Sequence, residues 1–578
     1  MLFAIAVVIF AAASAVGSVH QGKSLEAMLN LLAILGLFLA TALFVRGSGD
    51  ARLLVSAQVL SAIPVALFGI LQHYRPELVP AGSSYPGRAL GPFGQPNRLG
   101  GYLIAAIPLA LTLSFVAQDR LVRGALLASA LTLALCLVLT YSRGAWIALA
   151  VSAAALAAAF VRWPEIAPRP ILIGAALASL LLPALLLLPS IVSRVSSRPE
   201  RDKAWNLPFD PEREGSGAMR GAVWQGALAA ATARPLFGWG IGAFREAFDR
   251  SKGATMKRLE AEGGRTADQA HGYYLAALVE RGAPGVLTFV IFAVVGLAAG
   301  AAVVGSGAPA EARLLAAGLV ASVTALLAHA LIEDNLALAP HALLLHANIG
   351  LLAAAAPGPR AARRGLAAFG AAGLLVALAG AGTGVQSARA ESLALDAARS
   401  GNARLAQSGY AAASRLAPWD DRYALGEAKT SEALAEWPRA EAAYRRAIAL
   451  NASDPVTKHE LARLYLAHDE RFGVRGAAEA TALLRAALDQ NPFYAEIRND
   501  LGVALLRAGD REGALRAFRE AAEGRATYVD PLVNLAAIAL EDGDRDAAAS
   551  WIRRALERNP DSARALAMAS SLGITGAK

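Results

Sequence analysis

The chain has 578 residues, of which 56% are hydrophobic and 17% charged, with a mean hydropathy of +0.43. Soluble domains carry about 25% charge and cannot hide this much apolar surface; disorder and collagen-like structure are excluded as well, and a single cysteine, Cys136, inside an apolar run rules out a disulfide framework. The net charge of +9 therefore speaks first of membrane topology, not of a nucleic-acid partner.

The fold class read from this pattern is all-α. Residues 1–387 form a polytopic membrane domain, and residues 388–578, which are charged and Ala-rich, form a soluble tail. Eleven runs have spanning length: 2–18, 27–45, 53–72, 99–117, 122–141, 145–162, 170–190, 283–304, 313–332, 337–356 and 365–387. The first ends in small residues like a signal peptide but lacks a basic leading segment, so it is expected to stay as a span. Small residues crowd every run, which suits close helix packing in lipid.

With the N-terminus cytoplasmic, the inner loops carry ten basic residues (Arg46, Arg52, Arg120, Arg123, Arg162, Arg169, Arg313, Arg360, Arg363, Arg364) and the short outer loops five (Lys23, Arg75, Arg88, Arg98, Arg143). Glu333 and Asp334 also fall outside. Cytoplasmic loops concentrate Lys and Arg, so this orientation is the expected one. It puts the long loop 193–282 and the tail on the outer side, the periplasm of a bacterial inner-membrane protein. Reporter fusions after Arg364 are expected to behave as cytoplasmic, and fusions near Gly401 as periplasmic. A cytoplasmic tail would overturn the orientation.

Candidate chemistry collects on the outer side. Gly87 to Leu103 contains Gly91-Pro92-Phe93-Gly94-Gln95-Pro96-Asn97 running into a span. Irregular backbone of this kind survives at membrane depth only where it lines protein or a polar cavity. Tyr141-Ser142-Arg143-Gly144 is a tight turn, and its arginine suits either lipid phosphate or a fixed anion. The long loop holds Arg220-Gly221-Ala222-Val223-Trp224, then Pro235-Leu236-Phe237-Gly238-Trp239-Gly240-Ile241-Gly242, then His271-Gly272-Tyr273-Tyr274-Leu275 with Glu280-Arg281-Gly282. Gly238, Gly240 and Gly242 follow no strand, so a dinucleotide site is not expected. Guanidinium forks fit phosphate oxygens, and histidine fits proton transfer or phosphate contact. Convergence of Arg88, Arg143, Arg220 and His271 on one outer pocket is the expectation. No metal-ligand spacing, Walker loop or Gly-x-Ser-x-Gly elbow is present, so neither a metal nor a cofactor is expected.

The tail repeats at a period of 34: Gly509-Asp510-Arg511 recurs as Gly543-Asp544-Arg545, Ala514 as Ala548, Phe518 as Ile552 and Ala521 as Ala555, while Ala406, Tyr410 and Ala413 recur as Ala440, Tyr444 and Ala447. One unit, about 456–495, carries an insertion near Arg471–Gly476. The pattern resembles tetratricopeptide repeats, helix pairs that stack into an α-solenoid. A groove for a protein partner is expected; a spacer without ligand is the plainer alternative.

Taken in order, the motifs over about 80–285 resemble the O-antigen ligase superfamily, which unites lipopolysaccharide ligases, polysaccharide polymerases and protein O-oligosaccharyltransferases. Gly272 stands where that family usually has Asn. The resemblance implies a GT-C-like membrane glycosyltransferase that needs no metal and takes a glycan from undecaprenyl diphosphate. It implies catalytic roles for His271, Arg220 and Arg143, and donor binding by Arg88, Asn97, Arg98 and Tyr274. The acceptor stays open among lipid A core, another lipid-linked glycan and protein. A non-catalytic scaffold of polysaccharide export and an anion transporter are the competing classes. The transporter is disfavoured by an odd span count and few ionisable residues within spans.

Overall fold

Lipid offers the main chain no hydrogen bonds, so apolar runs must satisfy their own as helices, and every regular element among the described residues is helical. The computed structural model describes residues 2–79, 85, 87–162, 216–263, 267, 269–356, 386–387 and 389–574. The spans expected at 170–190 and 365–387 lie outside them.

The chain forms two compact units: Met1–Arg220, Ala227–Ala247 and Asp268–Gly382 in the first; Gly221–Gly226, Phe248–Ala267 and Thr383–Lys578 in the second. The long loop thus contributes to both. In the first unit, the helices are α1 (Leu2–Val16), α2 (Gln21–Phe44), α3 (Ser48–Tyr74), α4 (Pro96–Val116), α5 (Arg120–Leu139) and α6 (Arg143–Arg162). After them comes α7 (Ser216–Ala233), which both units share; α8 (Phe244–Ser251) and α9 (Ala254–Gly263) precede α10 (Tyr273–Val304), α11 (Ala310–His329) and α12 (Ala339–Ala355). Among the described residues, seven helices (α2 to α6, α10 and α11) are long and apolar enough to cross a membrane, and α1 and α12 are shorter apolar helices. This is a multi-pass membrane protein.

α4 and α11 form the centre, with 83% and 67% of their apolar windows buried against 28% to 39% for the other spans. An all-round apolar helix is a buried one. The outer helices leave Leu53, Leu60, Leu121, Leu131, Leu287 and Val294 exposed, as a chain whose solvent is acyl tails must. Small residues set the packing distance: Gly318 of α11 lies against Thr112 of α4, and Gly350 of α12 against Thr41 of α2, with no room for a side chain at either glycine.

α10 begins ten residues before the apolar run at 283. Its first turns carry Glu280 and Arg281, which break the hydropathy pattern, and the helix is interrupted at Gly282, whose φ of 68° is left-handed. The 235–240 segment runs alongside this break: the Ala283 amide donates to the Pro235 carbonyl (2.8 Å), Trp239 to Val279 (2.9 Å) and Gly240 to Glu280 (3.0 Å). A side chain at Gly238 would strike the Glu280 main chain, and its φ is 67°. The Gly-x-Gly-x-Gly run is therefore a close-packing device, not a phosphate loop.

In the second unit, helix pairs follow the 34-residue period. They are α13 (Ala403–Leu416) and α14 (Asp421–Ala433), α15 (Trp437–Leu450) and α16 (Pro455–Ala467), α17 (Asp469–Gln490) and α18 (Ala495–Arg507), α19 (Arg511–Gly524) and α20 (Asp530–Glu541), and α21 (Arg545–Arg558) and α22 (Ala563–Leu572). The recurring residues explain the stack. Ala514, Phe518, Ala521, Ala548, Ile552 and Ala555 are all buried. The recurring aspartates cap helices, Asp510 accepting from the Gly513 amide (2.8 Å) and Asp544 from Ala547 (2.9 Å). The insertion is absorbed by α17, which runs 22 residues with a left-handed break at Gly473.

Candidate functional site

The turn between α11 and α12 gathers the polar groups at one end of the helical bundle. It reads His329-Ala330-Leu331-Ile332-Glu333-Asp334-Asn335, and Glu333, Asp334 and Asn335 are all buried. From α4, the Asn97 amide donates to Glu333 Oε1 (2.5 Å). From α7, Arg220 Nη2 donates to the same oxygen (3.0 Å). Asp334 takes two main-chain amides at the entry to α10, His271 N on Oδ2 (2.9 Å) and Gly272 N on Oδ1 (3.0 Å). The Tyr273 amide adds a bond to the Ala330 carbonyl (2.9 Å). Two glycines admit the turn. A side chain at Gly101 would collide with Asn335, whose amide donates to His329 Nδ1, and one at Gly144 would collide with Ile332.

His271 adopts φ 50°, a left-handed conformation uncommon outside glycine. The paired acceptance by Asp334 holds it there, a local strain of the kind found at functional positions. Burial, then the nearby Arg220 charge, lowers the His271 pKa to about 4, so the imidazole is neutral at pH 7. Its Nδ1 is buried and has no hydrogen-bond partner among the described residues. Burial raises the Glu333 carboxyl, opposed by Arg220 and then Asn97. Asp334 is likewise raised by burial, opposed by the amides of Gly272 and His271 and by the Arg98 charge. The arrangement is a neutral proton acceptor beside a guanidinium that, among the described residues, gives one of its five donors to the Glu333 carboxylate.

The expected site residues are not placed alike. Arg220, His271 and Asn97 meet at the α11–α12 turn. Arg98 contributes its carbonyl, which accepts from His341 Nε2 (2.8 Å), and its charge beside Asp334. Arg143 opens α6 and is exposed, one residue from Gly144 and its contact with the turn. Arg88 is spoken for differently: its Nε donates to the Thr140 carbonyl (2.8 Å) and its guanidinium lies 5.6 Å from the Tyr85 ring centre. The Tyr274 hydroxyl donates to the Leu327 carbonyl (3.2 Å) and anchors α10 to α11. Glu333 and Asp334 entered the sequence analysis only as topology markers. The signal that would have found them is three consecutive polar residues between two apolar runs on the side that holds the arginines. Among the described residues, no group of three His, Cys, Asp or Glu side chains is placed to hold a metal ion.

An O-antigen ligase family model matches residues 128–290, and a tetratricopeptide repeat model matches residues 505–572. The TPR repeat-containing protein PA4299 of Pseudomonas aeruginosa is 37% identical over 117 residues, 20% of this chain and 45% of that protein, so the chain spans less than half the length of this relative. Among solved structures, the chain is similar to MamA of Desulfovibrio magneticus (15% identity, 31% of this chain, 97% of that one, TM-score 0.28) and to PilF of Pseudomonas aeruginosa (17%, 33%, 85%, 0.29). The chain is thus similar to O-antigen ligases over residues 128–290 and to tetratricopeptide repeats over residues 505–572.

Proposed function

We propose that this O-antigen ligase domain transfers a glycan from an undecaprenyl diphosphate carrier to an acceptor hydroxyl on the periplasmic side of the bacterial inner membrane. The acceptor is lipid A core, another lipid-linked glycan or a protein. The observation that carries the reading is the meeting of Arg220, Asn97 and the amides of His271 and Gly272 on Glu333 and Asp334. The acceptor oxygen attacks the anomeric carbon of the donor sugar, its proton passes to His271, and the bond from that carbon to the diphosphate oxygen breaks. The departing diphosphate, still esterified to the polyprenyl chain, meets the guanidinium of Arg220 and the exposed Arg143 at the start of α6, where helix dipole and guanidinium act together. Asn97, Arg98 and Arg88 lie on the donor side, and Tyr274 keeps α10 in register with α11. The tail, on the same face as the loop, is the part suited to a protein partner.

The test is transfer from a synthetic polyprenyl diphosphate glycan by the purified full chain in bilayer nanodiscs. Transfer is expected to persist in excess chelator, because guanidinium groups neutralise the leaving group. Activity that vanishes with chelator and returns with Mg²⁺ or Mn²⁺ would refute that account of the charge. Full transfer by well-folded Arg220→Ala and His271→Ala proteins would leave a scaffold role as the better reading.

A further inference from the structure

The corner of the first unit beside Arg143 is tied together by main-chain hydrogen bonds. Gln72, buried near the end of α3, accepts from the amides of Leu90 (3.3 Å) and Gly91 (2.8 Å). The Ala89 amide donates to the Leu139 carbonyl at the end of α5 (2.9 Å), and Arg88 Nε donates to the Thr140 carbonyl (2.8 Å). His73 Nδ1 donates to the Gly87 carbonyl (3.0 Å), which leaves Nε2 to accept. The end of α3, the 87–91 segment and the α5–α6 turn are thereby fixed to one another.

This corner carries the rings of His73, Tyr74, Tyr85 and Tyr141. The His73 ring lies 5.0 Å from that of Tyr74, edge to face, and 6.4 Å from that of Tyr141, while the Arg88 guanidinium lies 5.6 Å from the Tyr85 ring centre. Tyr74 is 67% exposed, and His73, Tyr85 and Tyr141 are half-buried. Tyr141 holds φ 51°, a left-handed conformation that bulky residues seldom adopt. The turn supports that strain: the Tyr141 amide donates to the Val138 carbonyl (3.0 Å) and the Ser142 amide to Thr140 Oγ1 (3.2 Å). Tyrosines at a membrane boundary often act as anchors, but an anchor needs neither a strained main chain nor rings set against one another. A pyranose does ask for such a surface, since its C–H face lies on aromatic rings and its hydroxyls meet polar edges.

We infer that His73, Tyr74, Tyr85, Arg88 and Tyr141 form a sugar subsite that takes the carrier-proximal sugars of the lipid-linked donor. The inference rests on the transferase reading, which brings the diphosphate to Arg143, two residues beyond Tyr141. The sugar joined to that diphosphate then falls beside Tyr141, on the donor side of the reaction. The rings hold its faces, and His73 Nε2 accepts from a hydroxyl. These residues select and hold the glycan; the bond-breaking chemistry belongs to other groups.

The experiment uses the full chain in nanodiscs and two probes: polyprenyl diphosphate alone, and the same diphosphate carrying an oligosaccharide. The parent is expected to bind the second about tenfold more tightly, the scale of stacking on aromatic rings. Tyr141→Gly removes a ring at a position whose φ glycine adopts freely, so Tm is expected to hold while the preference for the glycan is lost. Tyr141→Phe, which keeps the ring, is expected to keep the preference. Tyr74→Leu, still an apolar anchor, is expected to lose about two- to tenfold of it, and decides the matter alone if Tyr141→Gly lowers Tm. Variants that keep the parent's preference would overturn the subsite and leave the rings as boundary anchors. So would a parent that binds both probes equally, or variants that lose both probes alike, since the rings would then serve the diphosphate. A parent that prefers the glycan but transfers none refutes the transferase reading and leaves the subsite standing.

Discussion

Arg220→Lys is expected to fail nearly as badly as Arg220→Ala. Lysine keeps the charge but loses the planar fork, and with it the ability to hold Glu333 Oε1 on one nitrogen while offering others to a diphosphate. The expected loss is about 2–4 kcal/mol of transition-state stabilisation, or ~30- to 1000-fold in rate, by analogy with removing one oxyanion donor. Removing Arg220 also leaves the buried Glu333 with Asn97 as its remaining partner among these contacts, so part of the phenotype is stability. Arg220→Ala/Glu333→Gln separates the two, because the glutamine carries no charge to strand. If the double variant recovers protein level but not transfer, the guanidinium acts on the donor. If it recovers both, Arg220 is a structural counter-charge. Arg143→Lys, at an exposed position, is expected to lose rate without losing protein.

His271→Ala is expected to abolish transfer, and the pH profile of the parent tells how. A base must be unprotonated to work. Because burial and Arg220 lower its pKa to about 4 from 6.5, His271 is neutral across the physiological range. The rate limb assigned to it falls as pH drops through about 4, not through 6.5. In the Arg220→Ala/Glu333→Gln background the limb is expected to move upward, since one of the two causes of the lowering is gone. His271→Gln donates a hydrogen bond but cannot titrate. A retained rate in this variant would make His271 a phosphate contact; a lost rate with normal protein level supports proton transfer. A limb unmoved by Arg220 removal would show that the two groups do not communicate.

The membrane helices and the repeats were legible because their physics is periodic: spanning length in one, a 34-residue recurrence of small residues and capping aspartates in the other. The order of the motifs also pointed to Asn97, Arg220 and His271. The engagement of Arg88 with the Thr140 carbonyl and the Tyr85 ring could not be read from the sequence, which gives charge but not reach. The Glu333–Asp334 pair was passed over because acids in a short loop are ordinarily solvated. Only tertiary packing of α4, α7 and the α10 entry buries them. The join between loop and repeats was invisible for a similar reason: Asn491 and Phe493 look like ordinary turn residues until Lys257 and Arg258, over two hundred positions away, are set beside them.

α4 and α5 have nearly equal mean hydropathy in their apolar windows, 2.0 and 2.1, yet 83% of one window is buried and 28% of the other. Their tolerance of change must therefore be opposite. On α5, Leu121 and Leu131 face lipid, and one greasy residue serves there as well as another. On α4, Ala105, Ala110 and Gly101 are buried against neighbouring helices, and an added methylene has nowhere to go. Homologues of this chain would drift freely along α5 in volume while α4 stayed nearly fixed, although an insertion machinery that senses hydropathy alone would treat the two helices as the same segment.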